Sequence, residues 1–157
     1  MGMYTELNLG MGIYPDEEVI KKLKFMLGES KEDVKIDHPL FKDDTDWEYM
    51  LDTDSYYFDG QTDSKLIYDP IPKQYFLNVR CNFKNYKNEI KLFLDWLCPY
   101  ITTEGFLGYM WYEENDAPTL IYREFVKEIY RELDKEYSYY IHKIYYQPIT
   151  KEIKEDK

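Results

Sequence analysis

Hydrophobic and polar residues alternate over two long stretches of this chain. Between residues 4 and 14, Thr5, Leu7, Leu9, Met11 and Ile13 interleave with Tyr4, Glu6, Asn8, Gly10 and Gly12, the period of two that gives a strand one buried face. Its glycines weaken the far end or admit a close neighbour. Residues 74–84 repeat the pattern, with Tyr75, Leu77, Val79, Cys81 and Phe83 opposed to Phe76, Asn78, Arg80, Asn82 and Lys84. Two other stretches keep a helical period. Pro15, suited to a first helical turn, is followed by Asp16, Glu17 and Glu18 at the positive end of the dipole. Val19, Ile20, Leu23, Met26 and Leu27 then form one apolar stripe that Gly28 can end. Asn85 can cap a second helix whose inner face is Ile90, Phe93, Leu94 and Leu97, with Trp96 beside it and Pro99 as its stop.

The remainder reads as connections and shorter strands. Residues 30–46 are charged and broken by Pro39, a loop that Leu40 and Phe41 pin down, and residues 47–51 suit a single helical turn. Residues 56–58 and 65–68 flank "DGQTDS" as a hairpin with a loop of more than two residues, "DPIPK" is the next turn, and residues 106–113 and 119–123 form a hairpin around "ENDAP". Further on, the pattern is ambiguous. Phe125, Val126, Ile129, Tyr130 and Leu133 fit a helix, whereas "YSYYIHKIYY" fits a strand. Short links between successive strands predict an α+β fold, an antiparallel sheet with two or three helices packed on one face. We expect a single domain over residues 1–149 and a charged, frayed tail over 150–157.

Charge changes the functional picture more than length does. Thirty-one acidic against twenty basic residues give −11, a field that repels phosphate backbones and anionic lipid and draws in a basic partner. Direct nucleic-acid binding is disfavoured. Cys81 and Cys98 are the two cysteines, with no CxxC, and no apolar run reaches membrane-spanning length. These features predict a soluble cytoplasmic protein without a disulfide framework or a membrane role.

The densest polar stretch is "KDDTDWEYMLDTD", which sets Asp43, Asp44, Asp46, Glu48, Asp52 and Asp54 around Trp47 and Tyr49. Aromatic anchors ringed by carboxylates are suited to gripping a basic surface. The adjoining "LDTDSYYFDG" fails as a calcium loop, because counting from Asp52 puts Tyr56 and Tyr57 at the fifth and sixth positions, where a ligand and a glycine are needed. A hairpin is the better reading, with Asp59 and Gly60 entering its turn, and we expect no metal and no cofactor. A second candidate is the polar row Asn78, Arg80, Asn82 and Lys84, to which neighbouring strands can add Tyr57, Tyr109, Trp111 and Arg123. Such a row can hold a planar anion by stacking and charge-assisted hydrogen bonds. His38 and His142 have no partner at a spacing that suggests a base, and no phosphate-cradling loop is present, so the residues offer no catalytic constellation.

The segments "MGMYTELNL", "DHPLF", "DSYYFDG", "YFLNVRCNFKNYKNEI", "FLDW", "EGFLGYMWYEE" and "PTLIY" together resemble a family of small accessory proteins carried by bacteriophages and prophages. The resemblance covers roughly the first four-fifths of the chain, and the segment after Arg123 departs from it. It implies a role at the host interface, in the cytoplasm of a bacterial host, and transfers no active site. We therefore expect a non-enzymatic protein that neutralises a host defence or nucleic-acid-handling protein with a basic surface. The alternative is a sponge that sequesters a small nucleotide on the Arg80 face. Either is compatible with a homo-oligomer.

Overall fold

The computed structural model describes residues 3–54 and 62–149. Six strands, β1 (Thr5–Ile13), β2 (Lys65–Asp69), β3 (Gln74–Phe83), β4 (Gly105–Tyr112), β5 (Thr119–Glu132) and β6 (Lys135–Pro148), form one antiparallel sheet in the order β2-β3-β1-β4-β5-β6. Alternation places β1 at its centre. Thr5, Leu7, Leu9, Met11 and Ile13 are all at most 5% exposed, and each apolar one contributes roughly 2 kcal/mol of hydrophobic stabilisation. The facing row of β3, Leu77, Val79, Cys81 and Phe83, enters the same core.

Two helices, α1 (Glu17–Met26) and α2 (Glu89–Leu97), cover that face with the stripes their spacing predicts. Their ends differ from expectation. Pro15 precedes the first turn, and the N-cap of α1 is Asp16, whose carboxylate accepts from the Glu18 and Val19 amides. Gly28 closes the helix at φ +76°, the left-handed conformation that glycine adopts without a Cβ penalty. The N-cap of α2 is Asn88, yet Asn85 still serves the helix, its Oδ1 accepting from the Ile90 amide at 2.9 Å. Among the described residues no helix is long and apolar enough to cross a membrane.

A buried cation anchors the loop between α1 and β2. Lys22 is 2% exposed, donates to Asp33 Oδ1 at 2.8 Å and Val34 O at 2.7 Å, and sits 4.5 Å and 4.2 Å over the rings of Phe41 and Trp47. Such a site satisfies the ammonium that α1's amphipathic register turns inward. Leu40 is fully buried beside it, and residues 47–49 form the expected helical turn as a 3-10 segment. β2 pairs with β3 through the turn after Asp69; the expected pairing of residues 56–58, and the tail 150–157, lie outside the described residues.

The ambiguous stretch is strand on both sides of a two-residue turn. Residues 119–123 of β5 are held by β4, and continuing the strand lets aromatic residues pair across the β5–β6 ladder. Tyr130 stacks on Tyr137 at 5.1 Å and Phe125 on Tyr140 at 5.2 Å. Leu133 and Asp134, at φ +52° and +65°, make the two-residue turn.

The sheet bends at one irregularity. Between Phe106 and Gly108 the pairing with β5 shifts, and Gly108, at φ +151°, lies against β1 so closely that a Cβ would sit 1.9 Å from Asn8 O. Gly108→Ala should therefore lose about 2–4 kcal/mol in urea denaturation, since strand backbone cannot yield as a side chain would. Gly105→Ala, at φ +86° with open space around it, should lose only about 1 kcal/mol. Equal losses at the two glycines would show that conformation rather than contact sets the effect.

Candidate functional site

Three surfaces gather the residues with chemistry. The first is the acidic segment, held in place by two buried charges. Lys22 packs beneath Trp47, and Glu89, fully buried at the start of α2, accepts from the Asp46 amide at 3.0 Å and the Lys87 amide at 3.1 Å. Asp43, Asp44, Asp46, Glu48, Asp52 and Asp54 are all exposed, and Tyr49 is 68% exposed. Trp47 does not join them as a surface anchor. It is half-buried, with its ring 5.0 Å edge-on to Phe41 and 5.9 Å from Phe25. A pocket of about 200 Å³ opens beside the segment, walled by Tyr4, Asp46, Tyr49 and Lys84 over Met50 and Phe83. Such a hollow takes one apolar stem from a partner, and Asp46 on its rim can receive a charged head.

The second surface is the face of the sheet opposite the helices. The pairing register places Asn78, Arg80 and Asn82 of β3, Glu6 and Asn8 of β1, and Tyr109 and Trp111 of β4 on it together. The polar groups are largely engaged. Asn78 donates to Asp63 O at 2.9 Å, the Tyr109 hydroxyl to Glu6 Oε2 at 2.7 Å, and the Trp111 indole to Asn115 O at 3.0 Å. Burial, and then the Glu6 carboxylate, push the Tyr109 hydroxyl above its ordinary value. A hollow of about 300 Å³ beside Trp111 is bordered by Asn82 and by two carboxylates, Glu6 and Glu113. Lys84 has left the row and lies 5.7 Å from the Tyr4 ring. Tyr57 lies outside the described residues.

Arg123 belongs to neither surface. It is buried on the helix side, where it donates to Cys98 O at 3.1 Å and to Thr103 O and Glu104 Oε1 at 3.2 Å. Glu104 also meets His142 Nε2 at 2.6 Å. This third cluster borders a cleft of about 840 Å³ between α2 and β6, which Lys91, Asp95, Cys98 and Tyr146 also line. Both histidines thus have carboxylate partners far away in sequence, His38 with Asp95 at 3.0 Å and His142 with Glu104, which no local spacing announces. Cys98 and His142 do meet, but the thiol faces the His142 backbone carbonyl at 3.6 Å rather than the imidazole. Burial raises the Cys98 thiol against the opposing pull of the Arg123 guanidinium, so the sulfur stays protonated and is a poor nucleophile. Among the described residues no three acidic, histidine or cysteine side chains converge where a metal ion could be held.

No family model, curated protein or solved structure matches the chain. The geometry therefore carries the functional argument alone.

Cys81 is fully buried, and desolvation raises its thiol further than that of Cys98. In the unfolded chain both thiols ionise near their ordinary value of 9.0, while in the fold they keep their protons. The unfolded state then binds fewer protons, so stability must fall as pH rises past 9. Urea midpoints measured between pH 8 and pH 9.5 should drop, and Cys81→Ala/Cys98→Ala should show a smaller drop over that range. A drop of equal size in the variant would assign it to other groups.

Proposed function

We propose that this protein is a non-enzymatic accessory protein of the bacteriophage type, which binds and neutralises a host protein through its acidic aromatic segment. The observation that carries this reading is the pocket beside Tyr49, floored by Met50 and Phe83, with Asp46 and Lys84 on its rim and the exposed carboxylates of the same segment adjoining it in sequence. An anchor pocket with a charged rim is how small interfaces concentrate their binding energy. The partner's complementary surface is basic, as in a defence or nucleic-acid-handling protein whose groove ordinarily holds phosphates. The net charge of −11 steers such a partner in and repels the nucleic acid it would otherwise hold.

A second reading, a sponge for a small nucleotide, draws on Arg80 lying on the same open face as Tyr109 and Trp111. Glu6 and Glu113 beside Trp111 oppose a phosphate there, which is why we rank it second.

Purification from a bacterial host, followed by mass spectrometry under native and then denaturing conditions, separates the two. A stoichiometric basic protein in the native sample supports capture, and a nucleotide released on denaturation supports the sponge. Reversing Asp43, Asp44 and Asp46 to lysine should weaken capture at least about tenfold with the melting temperature unchanged, because all three side chains are exposed. Undiminished capture removes the segment from the proposal. Arg80→Ala should abolish nucleotide release and leave protein capture intact.

A further inference from the structure

Beyond Arg123, β5 has no partner in β4. Among the described residues, 124–132 and 135–143 pair only with each other, so the hairpin leaves the body of the sheet as a two-stranded ribbon. Phe125, Ile129, Tyr130, Tyr137, Tyr139 and Tyr140 on it are 41–58% exposed. An isolated two-stranded ribbon is marginal in water, and three or more strands are needed for independent stability. Among the described residues this ribbon, with aromatic side chains on both faces, has no third strand.

Among the described residues β6 has no partner on its outer edge, and that edge is suited to one. β6 is the last strand of the sheet, and from residue 136 to 147 it contains neither the proline nor the glycine that would interrupt it. Because Leu133 and Asp134 form a two-residue turn, Glu132 and Lys135 are the hydrogen-bonded closing pair. Counting from that pair, the even-numbered residues of β6 direct their N–H and C=O groups away from β5, toward the open edge. Residues 136–140 along that edge are all exposed, whereas from residue 141 onward β6 lines the cleft with α2 and the His142 carbonyl accepts from the Cys98 thiol at 3.6 Å.

Charge selects the occupant. Residues 124–143 carry five acidic and four basic side chains, a net of −1, which leaves −10 of the chain's −11 elsewhere. Two copies repel one another over most of their surface and can approach closely at the ribbon. A strongly basic partner, by contrast, is drawn to the acidic segment and gains little here. We propose that β6 pairs antiparallel with β6 of a second copy about a two-fold axis normal to the sheet. The two six-stranded sheets then become one continuous sheet, and the two ribbons become four adjacent strands. Such an axis sets each residue opposite one on the same face. Centred at Tyr140 or Ile141 it brings no two like charges directly opposite, and the Ile141 centre also sets Tyr137 against Tyr145 and Tyr140 against His142. The inference does not depend on host-protein capture, since no residue of the acidic segment takes part.

Ser138→Pro tests the seam. Ser138 is exposed and its N–H faces the open edge, so proline there removes an intermolecular donor and no bond of the β5–β6 ladder. Tyr140→Lys is the second variant, placing a charge at or beside the axis while keeping every backbone donor. Sedimentation of the wild-type chain should give twice its 19.2 kDa. Each variant should shift to the single mass, with the dimer dissociation constant raised about a hundredfold and the circular dichroism spectrum unchanged. Loss of the dimer in either folded variant supports the β6 seam. A wild-type chain that stays at single mass up to submillimolar concentration, or a dimer that persists in both variants, overturns it.

Discussion

Five side chains of β1, from Thr5 to Ile13, leave water for the core, and their spacing of two means that a slip of one residue would expose all of them at once. That constraint sets the register of β3 on one side and β4 on the other. It also decides which face the helices must cover. The bulge at Gly108 follows from it, since β4 can bend against β1 only where no Cβ intervenes. Gly12, at the other end of β1, plays a related part: its amide donates to Thr103 Oγ1 at 2.9 Å, and a Cβ there would meet Thr102 Oγ1. The chain leaving α2 is thereby docked onto the end of the central strand.

Charge is used in two opposite ways. On the surface, carboxylates are spread along an exposed segment and remain hydrated. Inside, a few ionic groups are enclosed with full sets of partners. Lys22 has one carboxylate, one carbonyl and two aromatic faces; Glu89 has two backbone amides; Arg123 has two carbonyls and a carboxylate. Removing either partner from such an arrangement leaves a buried charge uncompensated. These enclosed groups tie irregular chain to regular elements, and through Lys22 and Glu89 the acidic segment gains a fixed position although it contains only 3-10 turns.

The two ends of the sheet are treated differently. Near β3 and β1 the helices and the long loop seal the buried face, and the hydrophobic core is continuous from Leu40 to Ile121. Toward β6 that cover thins out, and the hairpin continues past the last contact with β4, with Leu133 at its tip 89% exposed. A sheet that is a folding core at one end and a ribbon at the other carries stability and exposed backbone edge in the same element.

Local periodicity by itself determined β1, β3, both helices and the α+β class, because alternation and the three-four spacing are short-range consequences of one-sided burial. It also marked the acidic segment, whose exposure follows from composition. Tertiary structure decided everything that rests on distant partners. Residues 124–147 carry a helical stripe from Phe125 to Leu133 and a strand pattern from Tyr137 to Tyr146, and the ladder begun by β4 resolves both as strand. Trp47 reads as a surface anchor until Lys22, Phe25 and Phe41 enclose it. Arg123 reads as sharing chemistry with Arg80 until strand pairing sets them on opposite faces of the sheet. His38 and His142 find carboxylates 57 and 38 positions away. None of these pairings has a local signature, since a salt bridge or a packed ring depends on where two elements meet, and that is settled by the burial of the whole sheet.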